Sequence, residues 1–151
     1  MIPSLLAIHI LSAVIWVGGM FFAMLFLRPA LLPLELEARV DLWFRVLTRF
    51  FPWVWGSVIA LPLSGYALLL AIFGSLQQAG WHVWIMQSLG WTMIAIFIFL
   101  FLVYYRKMAR MVKKRLMPEA GLCMNAIRIG ISVNLALGLA TVVVAATGRF
   151  W

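Results

Sequence analysis

Residues 4–27, SLLAIHILSAVIWVGGMFFAMLFL, run from Ser4 to Leu27 without a single charge. A helix needs roughly 20 mainly apolar residues to cross about 30 Å of hydrocarbon. The stretch lacks the basic leading region of a signal peptide and exceeds the roughly 7 to 15 apolar residues of one, so it reads as a retained membrane helix. Outward from it, three more segments meet the same length, at about residues 52–73, 81–105 and 129–147. Ten-residue alternation, the mark of a membrane barrel, is absent. The composition agrees: 66% of the 151 residues are hydrophobic and 11% charged, against about 25% charged in soluble domains. A soluble enzyme, a disordered tail and a collagen-like chain are excluded. The single cysteine, Cys123, permits no internal disulfide.

The expected fold class is therefore all-α: one integral membrane four-helix bundle over 1–151. Its orientation follows from its 12 basic residues. Arg28, Arg39, Arg45 and Arg49 lie in the first connection, and Arg106, Lys107, Arg110, Lys113, Lys114, Arg115 and Arg128 in or beside the third. By the positive-inside rule these connections face the cytoplasm and both termini the periplasm, in a bacterial inner membrane. The formal charge of +8 is then topology and not nucleic-acid binding, with the lipid bilayer as partner, and Lys113 to Arg115 are placed to touch anionic lipid. Within the first connection, Leu36, Val40, Trp43, Phe44, Leu47 and Phe50 recur at helical spacing, with Glu35/Arg39 and Asp41/Arg45 as i,i+4 pairs. This pattern predicts a short interfacial helix ended by Pro52. Residues 108–125 read as a water-exposed connection in which Pro118 and Gly121 break any helix. Trp53, Trp55, Trp81, Trp84 and Trp151 mark interface belts.

Polar groups are costly in lipid, so each one retained there is a functional hypothesis. No Asp, Glu, Lys or Arg lies in the middle of a span, which argues against a proton pump, an ion-coupled carrier and hydrolysis by paired carboxylates. The informative pair is His9 in span one and His82 at the outer end of span three, at depths that nearly match. On span one, His9, Ser12, Ala13, Trp16, Gly19 and Met20 share a stripe; on span three, His82, Met86, Gly90, Met93 and Phe97 do. Bundle cores are where facing helices build cofactor sites. Haem b, with His9 as one axial ligand and His82 or Met86 as the other, is one reading. Copper held by His9, His82 and Met86, with Met20 or Met24 deeper, is another. Against both stand plain roles: His82 as a headgroup-level side chain, and the methionines as core filler. Asn134, Gly138 and Thr141 share a face of span four suited to gluing helices.

The stretch HILSAVIWVGGMFFAMLFLRPAL, residues 9–31, resembles the opening helix of the copper resistance protein D (CopD) family. The likeness continues in RFFPWVWGSVIALPLSGY (49–66), in WHVWIMQSLGWTMIAIF (81–97) and in YYRK (104–107). That resemblance implies copper handling at the bacterial inner membrane, with His9, Met20 and Met24 as candidate residues. The chain is also similar to HemJ, a small membrane protein family of haem synthesis associated with protoporphyrinogen oxidation. The likeness to HemJ implies haem b on a first-helix His, here His9. HemJ's third-helix Lys has no counterpart between Trp81 and Tyr105.

The expected function is a haem b-binding membrane protein with a redox or electron-transfer role in the periplasmic leaflet. Its cofactor-binding residues are His9, His82, Met86, Ser12, Trp16 and Gly19, with Arg149 and the tryptophans facing the propionates. A quinone or a periplasmic redox protein is the expected partner, and a second copy of the chain a further one. A haem-dependent oxidoreductase activity, a copper transport or tolerance protein and an accessory subunit of a larger membrane complex stay open at this point.

Overall fold

A computed structural model describes residues 1–150, except for the side chains of Leu76 and Arg149; Trp151 lies outside the described residues. Four helices are long and apolar enough to cross a membrane: α1 (Ile2–Ala30), α2 (Leu36–Phe73), α3 (Trp81–Lys113) and α4 (Met117–Thr147). Short links join them, so consecutive helices run antiparallel. Both described chain ends and the 74–80 link lie at one end, called here the terminal end; the 31–35 and 114–116 links lie at the other, the basic end. α1 packs on α2 and α3 on α4, while α4 also touches α1 and α2.

Local sequence sets the ends. Gly74 closes α2 with φ +74°, its N–H bonded to Leu70 O at 3.1 Å, a left-handed stop that glycine adopts without strain. Pro118 falls in the first turn of α4, where its missing N–H costs nothing.

Two expectations about the connections are corrected. Residues 36–50 are not a separate interfacial helix ended by Pro52: α2 is one helix of 38 residues with Pro52 and Pro62 inside it. Its buried stripe, Val40, Trp43, Leu47, Phe51, Val54 and Val58, passes unbroken through Pro52. Packing along that stripe outweighs one missing backbone bond, a tolerance common in membrane helices. Nor is 108–125 an exposed connection. α3 continues to Lys113, a turn of Lys114, Arg115 and Leu116 follows, and Pro118 begins a helix instead of breaking one. Met108 in this region is completely buried. Spans two and four thus extend as helices well past their apolar cores, to Leu36 and Met117. Of the expected ion pairs, Asp41–Arg45 forms at 2.7 Å, whereas Glu37 pairs with Arg115 at 3.3 Å and Glu35 leaves Arg39 without a carboxylate.

Small residues allow the helices to approach, as packing in lipid requires. A Cβ on Gly138 of α4 would sit 2.9 Å from Val17 of α1 and 3.2 Å from Met93 of α3; one on Gly130 would collide with Leu100, and one on Gly19 with the Phe50 ring. Beside this junction Asn134 donates Nδ2 to the Met93 carbonyl at 3.1 Å. Asn134 and Gly138 therefore join helices, while Thr141 bonds to Leu137 of its own helix.

Between α2 and α3 the core is aromatic. Phe97 meets Trp16 and Trp55 at centroid distances of 6.2 and 5.2 Å, and Phe51 lies 4.8 Å from Tyr105. In a regular α-helix the four-residue steps Phe97, Phe101, Tyr105 would drift around the axis; the π turn Leu100–Tyr105 holds more residues per turn and re-aligns them. Thr48 donates to Phe44 O at 2.7 Å, so its bond with Tyr105 at 2.9 Å is donated by the phenol. Tyr105→Phe is expected to cost about 1 kcal/mol in a denaturant titration of the purified protein.

Candidate functional site

His9 is the polar group that the terminal half of the bundle builds around. It is half-buried on α1, and its Nδ1 lies 2.9 Å from Ser64 Oγ of α2. Gly65 leaves room for the ring: a Cβ there would stand 3.1 Å from His9 Cε1. The Ser64 hydroxyl has a single hydrogen, and it donates this to Ala60 O at 2.5 Å. With its hydrogen on Ala60 O, Ser64 accepts from His9 Nδ1–H, the tautomer in which Nε2 keeps its lone pair. Histidines that ligate metals are held in this way, through a partner on the other ring nitrogen.

His82 does not share these neighbours. It occupies the first turn of α3, in contact with Gly80 and with Gly148 beyond the end of α4. Val17 and Met93 both pack on Gly138; His9 lies eight residues outward of Val17 and His82 eleven outward of Met93. The two imidazoles have different neighbours, one ring against α2 and the other against the end of α4.

The remaining site residues serve mostly as packing. Ser12, Trp16 and Met20 form the buried face of α1 with Met24, and Gly19 accommodates Phe50. Met86 is half-buried on α3. Met20 and Met24 lie eleven and fifteen residues from His9 on the same helix, about 16 and 22 Å away, so they belong to the core and not to a copper site with it. The side chain of Arg149 and all of Trp151 fall outside the described residues, as does the expectation that they face propionates. Among the described residues no three His, Cys, Asp or Glu side chains converge.

Inside the bundle the void bordered by Trp16, Phe97 and Asn134 measures only about 20 Å³, room for one water and not for a macrocycle.

Sequence reasoning missed a second polar group. Tyr66 Oη of α2 accepts from Gln87 Nε2 and, at 3.4 Å, from Trp91 Nε1, both on α3. Gln87 and its neighbour Ser88 stood out as polar residues in a span; their partner did not, because tyrosine and tryptophan are ordinary in membrane helices. An open cleft at the basic end has Glu37, Asp41, Arg45 and Arg115 on its walls, and these four pair with one another.

Ser64→Ala removes the acceptor that holds the His9 tautomer. Affinity for a metal-centred ligand on Nε2 is expected to fall about 10- to 100-fold, as read by ligand titration of the purified protein. Comparison with family models, with curated proteins and with solved structures returned no match for this chain.

Proposed function

We propose that this chain is a multi-pass membrane protein of redox function that holds haem b on His9 Nε2, in the outward half of the bundle. The positive-inside rule places the terminal end outward, in the periplasmic leaflet of a bacterial inner membrane. One observation carries the reading: an imidazole on an apolar helix whose Nδ1 lies 2.9 Å from a serine hydroxyl of the neighbouring helix. Retaining such a group in lipid is costly, and the arrangement leaves one nitrogen lone pair for a ligand.

The residues present fit haem at one axial position. His9 would hold the group; His82 stands apart from Ser64 and Gly65, against Gly80 and Gly148. Haem bound there supplies one-electron transfer. The chain's own residues bind and orient: His9 ligates, Ser64 fixes its tautomer, and Gly65 leaves space for the ring. A quinone or a periplasmic redox protein is the partner this placement suits.

The test is the visible spectrum and metal content of protein purified from cells with full haem supply. A Soret band with stoichiometric iron is expected. A colourless preparation overturns the reading; copper in place of iron points to the copper-handling alternative, and stoichiometric co-purifying proteins to an accessory subunit.

A further inference from the structure

The most concentrated unbalanced charge of the molecule lies at the basic end. Arg28 of α1, Arg39 of α2 and Arg128 of α4 converge closely enough for the first two to act on the third through space. The packing explains why. Val17 and Gly138 touch where α1 and α4 run antiparallel, so Arg28 and Arg128, eleven and ten residues further along, are level. The buried series Ser12, Trp16, Met20, Met24 ends one turn before Arg28, which is exposed at the basic end. α2 lies over Gly121, which faces Leu36 and Val40, and this delivers Arg39 to the same corner.

Three like charges repel, and nothing in the chain neutralises them. Among the described residues Asp41 pairs with Arg45 and Glu37 with Arg115, and no carboxylate pairs with these three arginines. The Nε atoms of Arg39 and Arg128 are buried and have no acceptor. A buried guanidinium N–H without an acceptor is costly, and the planar fork matches a phosphate.

We propose that Arg28, Arg39 and Arg128 form a binding site for a phosphate group at the basic end of the bundle. The phosphate belongs to a lipid headgroup or to a soluble phosphate ester. The site is independent of His9 and of haem.

The test is thermal unfolding, followed by tryptophan fluorescence, of delipidated protein in a neutral detergent. It is titrated separately with phosphatidylglycerol, with phosphate-free diacylglycerol, with inorganic phosphate, and with sodium chloride at matched ionic strength. Saturable stabilisation by phosphatidylglycerol and not by diacylglycerol assigns a headgroup; stabilisation by inorganic phosphate at similar concentrations assigns a soluble ester. Either way, Arg39→Gln and Arg128→Gln are expected to bind at least about tenfold more weakly, with Arg28→Gln as a further variant. Without ligand, Arg128→Gln should unfold no earlier than the parent, because it removes repulsion. The proposal is overturned if no phosphate source stabilises the parent beyond the salt control, if the arginine variants respond like the parent, or if Arg128→Gln unfolds earlier without ligand.

Discussion

In His9→Ala the Soret band of the purified protein is expected to vanish, at least about a hundredfold loss of haem affinity, while the bundle stays folded. The two parts of this expectation rest on different quantities. Iron loses a nitrogen ligand, and Ser64 cannot replace it because its hydroxyl is already committed to Ala60 O. Folding loses only one hydrogen bond, worth about 1 kcal/mol, and α1 remains held by Trp16, Met20 and the Gly138 junction. Size-exclusion elution and helicity should therefore match the parent, and millimolar imidazole should restore part of the band by filling the space the side chain left. His82→Ala, altered at the end of α4 and not at Ser64, is expected to keep the band. Equal loss in both variants would return the site to the paired-histidine arrangement expected from sequence.

The second large effect concerns stability. Trp43→Ala should cost about 3–5 kcal/mol, measured by reversible denaturant unfolding. Trp43 is 1% exposed and shares the basic-end core with Val40, Leu47, Met108 and Ile127, all similarly sealed. α2 is about 57 Å long, roughly twice the hydrocarbon thickness, so this core stands largely outside lipid. There water makes apolar burial favourable, whereas inside the bilayer helices gain little from exchanging lipid for one another. Substitution of an outward residue such as Leu63, 68% exposed, is expected to have little effect. A Trp43→Ala variant as stable as its parent would show that the basic end contributes no folding energy.

The four spans were legible because nothing else explains charge-free runs of that length. The stripe Val40, Trp43, Leu47 was legible too, from its spacing alone. Its continuation was not: Pro52 is a stop signal in water-based reasoning, and the packing that overrides it belongs to residues far away in sequence. Pro118 failed in the opposite direction, since a proline in a first turn and one in a helix interior look alike without the helix boundary. His9 stood out as an imidazole in an apolar run. Ser64 stood out only as a polar residue in a span; its meeting with His9, 55 residues away, was not legible, because a lone serine there usually bonds its own helix, as Ser64 also does. Counting residues from span starts placed His9 and His82 level, but spacing could not show that one ring meets Ser64 and the other Gly148. Arg28, Arg39 and Arg128 read as topology signals, and only packing shows that they meet.

The turn of Lys114, Arg115 and Leu116 bears on how α3 and α4 are held. Three residues reach at most about 10 Å, and Arg115 already adopts φ +59° to close the turn. A link this short holds the basic ends of α3 and α4 side by side, so the two helices form an antiparallel hairpin that neither can leave without the other.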